Sequence, residues 1–408
     1  MEPISGFTAA GPGSGGYGAQ DIVMTPGSDG TALNFNWYST SQTDSLVQIA
    51  LTADMTGADF PEAAAAAFYA ETASAVSGYY SNKATATALA PDTGYVYRLG
   101  DGDGNWSDNY YVTTYPDTHF GFLAVGDPQI GAANVSTDTI GWADTLSSAL
   151  ALFPETAFVL SAGDQVERSN NESQFSGFFS PDELRSIPVA PALGNHDNGA
   201  LNTGYHFNLP NLSEDYGITS PGSSDYYFTY GEALFVILNS NNTSGASHEA
   251  FISEVVGAYP DAQWKIAMFH HDIYGSAHHA LETSVMNLRA ALFPVFDEYQ
   301  FDVVITGHDH SYSRSHVLFG DVAQEDLTYD ENGAVVNPDG TVYFTLNSAS
   351  GSKYYALNTS QADYCAFRSQ TYAPTFSYVR IDGNRLTVDT YGTDTMTAID
   401  TFSIVKSE

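Results

Sequence analysis

The stretch Ile187-Pro-Val-Ala-Pro-Ala-Leu193-Gly194-Asn195-His196-Asp197 is an apolar run that stops at a glycine and then presents an amide, an imidazole and a carboxylate. A strand that ends this way delivers polar side chains to a sheet edge, and the glycine lets the chain turn sharply there. Four more runs share the form. Phe120–Val125 leads into Gly126-Asp127-Pro128-Gln129, and Ala157–Ala162 leads into Gly163-Asp164-Gln165-Val166-Glu167. Trp264–Phe269 leads into His270-His271-Asp272, and Phe301–Thr306 into Gly307-His308-Asp309-His310. Each motif alone is weak. Five in succession, each after a strand-like run, predict an α/β domain whose strand ends converge on a pocket of hard oxygen and imidazole donors, suited to a pair of divalent metals such as Mn, Fe or Zn.

N-terminal to these runs the texture differs. Residues 1–18 are rich in Gly, Ser and Ala and read as a flexible leader. From there to about residue 116 short β-rich runs (Ala32–Tyr38, Val47–Leu51, Tyr95–Leu99, Tyr110–Thr114) alternate with turn residues, as in a small antiparallel sandwich. The Ala-rich segment Pro61–Tyr69 predicts a helical turn, and Asp101-Gly-Asp103-Gly-Asn105 a hairpin turn rather than a calcium loop. Tyr115-Pro-Asp-Thr reads as a linker to a second domain, 117–408, and none of the eleven histidines precedes it.

Composition bounds the rest. Hydrophobic residues are 43% of the 408, enough for a sizeable core. No run approaches the ~20 apolar residues of a membrane span. Twelve Lys and Arg face 48 Asp and Glu, a net charge of -36 that disfavours any groove for nucleic acid. The single Cys365 forms no intrachain disulfide and reads as a small buried hydrophobe.

The order Gly-Asp, Gly-Asp-x-x, Gly-Asn-His-Asp, His and Gly-His-x-His resembles the calcineurin-like metallophosphoesterase superfamily, and within it the bacterial relatives of the purple acid phosphatases. The resemblance covers nearly the whole chain. It implies an N-terminal fibronectin-III-like β-sandwich over 19–116 and a catalytic αββα sandwich over 117–408. It implies that Asp127, Asp164 and His310 hold a first divalent ion, and that Asp164 bridges to a second completed by Asn195, His270 and His308. His196 becomes the general acid, with Asp197 orienting its ring. Asn195 also faces substrate, and either His278 or His279 contacts it. The implied reaction is hydrolysis of small phosphate monoesters by metal-activated hydroxide. A phosphodiesterase or nucleotidase with the same site, or a non-enzymatic cell-surface binder, is the alternative. An extracellular or cell-surface location, with a signal peptide removed, goes with that reading.

Two positions depart from the branch. Its iron-ligating tyrosine, the source of colour, is replaced by Glu167, and the histidine that other members carry two residues after the first Asp is Gln129. Gln129 through its amide oxygen, or Glu167 through its carboxylate, is left to complete the first metal. His271 and Asp272 are expected behind the ligands. His119, His206, His248 and His316 are expected at the surface or in loops, and Tyr274 along the cleft. Arg314 either fixes the last motif's loop or reaches the pocket.

Overall fold

The computed structural model describes residues 16–407, so most of the expected leader lies outside the described residues. The first described residues are tied to the sandwich, since the Tyr17 hydroxyl accepts from Trp37 Nε1 at 2.8 Å.

Two four-stranded antiparallel sheets build that sandwich. One runs Gln20–Pro26, Leu33–Ser39, Tyr80–Ala86, Glu71–Ser74; the other runs Ala66–Tyr69, Leu46–Leu51, Thr93–Gly100, Tyr110–Thr114. Phe35, Trp37, Val47, Tyr97 and Leu99 fill the space between them. The helix expected over Pro61–Tyr69 is only a 3-10 turn, Glu62–Ala64, followed by the strand Ala66–Tyr69. Alanine's helix preference is worth a few tenths of a kcal/mol per residue, and backbone pairing with Leu46–Leu51 overrides it. In the 101–105 loop, Asp101 Oδ1 accepts the amides of Asp103 and Asn105, so the carboxylate is spent on a turn.

The second domain packs two sheets face to face. In the first, His119–Val125 lies beside Thr156–Ser161 and then Val189–Pro191, all parallel, with the closing strands Thr375–Asp382, Arg385–Gly392 and Thr397–Val405 on its other side. In the second, Ala233–Ile237, Trp264–Met268, Val303–Thr306 and Val342–Thr345 are parallel neighbours. Strand alternation assigns the faces. Phe120, Phe122 and Ala124 meet Phe158, Phe235 and Ile266 between the sheets, while Leu123 and Val125 point outward. There the helices Val135–Leu152 and Glu172–Phe178 cover the first sheet, and Gly245–Ala258 and Thr283–Glu298 cover the second. Both faces of each sheet are therefore buried, which is why the strands read as near-continuous apolar runs.

The two domains dock closely. Asn36 Nδ2 and Ser81 Oγ both donate to the Tyr205 carbonyl, at 2.9 and 2.6 Å, and Lys83 Nζ donates to Gly204 O at 2.7 Å. Tyr97 Oη reaches Arg185 O at 2.8 Å.

Candidate metal centre

The parallel pairings put the carboxyl ends of the five motif strands on one edge of the packed sheets. Three come from the first sheet and two from the second. Beyond them the chain turns hard. Asp127, Gln129, Asp164, His308 and His310 all have positive φ, from 37° to 71°, which non-glycine residues rarely adopt. Such strain persists where the surroundings over-determine it, and it clusters at functional sites. Gly163 shows how tight the packing is, since a Cβ there would lie 2.6 Å from His270 Nδ1. A Cβ on Gly194 would land on the Asp164 carboxylate.

One donor atom each from Asp164, His270 and His308 falls within a 4.8 Å cluster. His270 Nε2 is 3.3 Å from Asp164 Oδ2, 3.0 Å from Asn195 Oδ1 and 3.0 Å from His308 Nδ1. Asp127 Oδ1 is 3.5 Å from His310 Nε2, and the Asp127 carboxylate accepts the His308 amide. Two carbonyls orient the imidazoles. His270 Nδ1 donates to Ala162 O and His310 Nδ1 to Lys353 O, each at 2.9 Å, which turns both Nε2 atoms into the cluster.

Charge follows burial. Burial holds His308 well below the ordinary histidine range and His310 at about 3, so both are neutral, the form that ligates metal. Burial would do the same to His270, but the charge and hydrogen bond of Asp164 outweigh it and lift His270 to about 9. Asp164 is held low, because His270 outweighs the upward push of burial. Burial drives Asp127 well above the carboxylate range. The charge of His270 thus stands against the Asp164 carboxylate. The donor set of carboxylates, amide oxygens and neutral imidazoles fits divalent Mn, Fe or Zn.

Gln129 is fully buried, its Nε2 donates to Glu167 Oε2 at 3.0 Å, and its Oε1 has no partner. An orphaned buried amide oxygen beside Asp127 and Asp164 is what a further ligand looks like. Glu167 turns instead to Gln129 and to His196, whose Nδ1 lies 2.9 Å from the Glu167 carbonyl and 3.6 Å from its carboxylate.

The expected partnership of His196 with Asp197 is absent. The Asp197 carboxylate accepts the amides of Gln165, Val166 and Gly194, at 3.2, 3.2 and 2.9 Å. It ties two motif loops together and does not face the His196 ring. The structure also separates the two adjacent histidines. His279 stacks on His308, with ring centroids 4.0 Å apart, and its side chain is 17% exposed; the His278 side chain is 68% exposed. Asp309 aims that turn by accepting the amides of Ser276, Ala277 and His279.

Other expectations change. His206 and His248 are completely buried, not in surface loops. Tyr274 is buried with its hydroxyl on Asp321 at 2.7 Å, so it does not line the cleft surface. Arg314 reaches neither the pocket nor the motif loop; its guanidinium is held by Asp400 at 2.7 Å. His271 does lie behind the cluster, its Nδ1 on Ser240 Oγ at 2.8 Å, and burial holds it at about 3. Sequence reasoning missed Tyr355, whose ring packs edge-on against both His279 and His310, at 4.9 and 5.4 Å. It follows no strand-end motif, so nothing local signals it.

The chain matches the family Calcineurin-like phosphoesterase over residues 117–312 and the family Purple acid Phosphatase, N-terminal domain over residues 19–114. It is 27% identical over 310 residues to purple acid phosphatase 1 of Ipomoea batatas, covering 70% of this chain and 62% of that protein. It is 25% identical over 300 residues to a phosphoenolpyruvate phosphatase of Allium cepa, covering 70% and 60%. A purple acid phosphatase from yellow lupin (Lupinus luteus) seeds shares the fold with a TM-score of 0.77 at 18% identity, covering 97% of this chain and 75% of that one. The chain spans about three-fifths of the length of the curated relatives it matches, as the covered shares of 62% and 60% show.

Proposed function

Since the chain belongs to the calcineurin-like phosphoesterase superfamily, in its purple acid phosphatase-like branch, we propose that it hydrolyses small phosphate monoesters at a dinuclear metal centre. One observation carries this reading: Asp127, Asp164, Asn195, His270, His308 and His310 converge at the ends of parallel strands, with the Gln129 amide oxygen unpartnered beside them. The phosphatases among the relatives support the choice of monoesters.

Asp127, His310 and Gln129 would hold one divalent ion, and Asn195, His270 and His308 the other, with Asp164 shared. Ions held there supply the Lewis acidity that activates water and stabilises charge on the phosphoryl oxygens. The protein's own groups do the rest. His196 keeps its Nδ1–H on the Glu167 carbonyl, so in the doubly protonated imidazolium form its Nε2–H is the proton given to the leaving oxygen, which leaves the ring neutral. Glu282 Oε1, 2.8 Å from His279 Nδ1, fixes that ring, and in its imidazolium form the Nε2–H would donate to a phosphoryl oxygen. Tyr355 walls the site beside both histidines. An extracellular location belongs to the same reading, and a net charge of -36 suits a chain working free of anionic polymers.

The test is turnover of a panel of aryl and alkyl monoesters and diesters after reconstitution with Mn, Zn, Fe or Mg. Metal-dependent monoester hydrolysis is expected. Faster diester turnover would move the assignment to a phosphodiesterase, and no turnover with two metals bound would leave a binding protein.

A further inference from the structure

Cations are scarce in this chain, twelve Lys and Arg beside 48 Asp and Glu, and seven of the twelve are taken up in ion pairs with carboxylates. Lys353 is not among them. Its Nζ lies 4.8 Å from the centroid of the Tyr355 ring, and among the described residues no carboxylate or carbonyl oxygen meets it. The residue is half-buried, so it is not a charge simply left out in water. The long-range field of so acidic a chain repels a phosphate ester, and a cation close to the metal cluster opposes that repulsion where it matters for capture.

Tyr355 sets that charge beside the cluster. Its ring packs against His279, His310 and His278, with centroids 4.9, 5.4 and 5.8 Å away. The ammonium is therefore no more than one aromatic ring from the metal-binding side chains. The loop that carries it is fixed to the ligand loops by backbone bonds. Ser348 Oγ donates to Asp127 O at 2.9 Å, and Lys353 O accepts from His310 Nδ1 at 2.9 Å. Gln370 Nε2 donates to the His310 carbonyl at 2.8 Å and to the Tyr355 carbonyl at 2.5 Å. The backbone of Lys353 thus keeps a set position relative to Asp127 and His310, and the cation–π contact orders the flexible stem above it. An ammonium is a compact charge with three donors, able to take a carboxylate or a phosphate oxygen without demanding one geometry.

We propose that Lys353, steadied by Tyr355, is the subsite for a second anionic group on the substrate, so that the favoured substrates are phosphate monoesters whose leaving alcohol carries a carboxylate or a further phosphate. This rests on the monoesterase reading above and narrows it. The phosphoryl group under attack goes to the cluster, and the second anion meets Lys353 Nζ. An ester of a neutral alcohol leaves the ammonium in water and gains nothing from it. The subsite is partly open to solvent, so its gain is that of a screened hydrogen bond between charged groups, about tenfold in affinity.

The experiment measures, by calorimetry, how the full chain loaded with Zn²⁺ binds three phosphonates that cannot be hydrolysed: propylphosphonate, its carboxylate-terminated analogue and its phosphonate-terminated analogue. At least one charged analogue should bind about tenfold tighter than propylphosphonate at low salt, and the advantage should fade as salt rises. The tighter of the two identifies the second anion as a carboxylate or a phosphate. Lys353→Met, which keeps an apolar stem on Tyr355, should abolish the advantage, and Lys353→Arg should keep most of it. Equal affinity for all three compounds in the unaltered protein, or an advantage that survives Lys353→Met, would overturn the proposal. The first of these comparisons needs no variant, so the test survives a substitution that folds poorly. Turnover of the matching esters is scored separately. A preference for charged analogues with no hydrolysis would fell the monoesterase reading and keep the subsite, and hydrolysis with no preference would do the reverse.

Discussion

Gln129 Nε2 donates to Glu167 Oε2 at 3.0 Å, and that bond fixes which way the amide points. The Glu167 oxygen accepts there, so the NH₂ end faces Glu167 and Oε1 is left without a partner among the described residues. Gln129→Ala should therefore weaken the first metal while leaving the second bound. Glu167→Ala should lower first-site affinity by roughly 10–100-fold through the loosened amide. Metal titrations of the two variants check this; unchanged affinity in both would place Gln129 outside the ligand set.

His279 and His278 should behave differently. His279→Ala removes the ring that stacks on His308 and should raise KM by about tenfold or more, the cost of one hydrogen bond to a charged group. His278→Ala, at an exposed position, should change KM less than twofold. Steady-state kinetics on one monoester with metals saturating decides between them.

His196→Ala should keep both metals. General acid catalysis contributes typically ~10²–10⁴-fold, and its share grows as the leaving group becomes a poorer anion. Alkyl ester hydrolysis should therefore suffer severely and aryl ester hydrolysis less. Asp197→Ala should instead lower thermal stability, because three backbone amides lose their acceptor, and should leave the aryl-to-alkyl ratio unchanged. Equal losses on both esters in His196→Ala, with chemistry rate-limiting, would make His196 a phosphoryl binder.

His248 offers a pH test away from the site. Its Nδ1 lies 2.7 Å from Asp225 Oδ2, both side chains are fully buried, and Nε2 lies 2.7 Å from Asn242 O. Burial alone would lower its pKa, but the Asp225 hydrogen bond and charge raise it. Because the folded value exceeds the unfolded one, the contribution is full below the unfolded pKa and is lost as pH rises through the folded one. His248→Gln should cost about 3–5 kcal/mol at low pH, as breaking a buried pair does. The deficit should shrink as pH rises past neutrality, which denaturant titrations at several pH values will show.

The sequence by itself settled the α/β class, the sandwich before it and the five strand ends, because those signals are local. An apolar run, a glycine and a polar cluster lie within a dozen residues, and the strand they specify, such as Val303–Thr306 before His308, is buried on both faces in any packing that works. Tertiary structure decided whatever depends on residues far apart in the chain. Asp197 follows His196 directly, yet its carboxylate is claimed by amides about thirty residues away, while the ring of His196 goes to Glu167. The adjacent His278 and His279 differ in what they meet, since Asp309 accepts the His279 amide and the His279 ring stacks on His308. His206 looked like a loop histidine because the aromatic rings that clamp it, Tyr38 and Phe175, come from different domains. Ala66–Tyr69 became a strand because a partner strand was waiting for it. A side chain's neighbours along the chain fix its backbone, but the low-dielectric interior and the demand that every buried polar group find a partner fix what it touches.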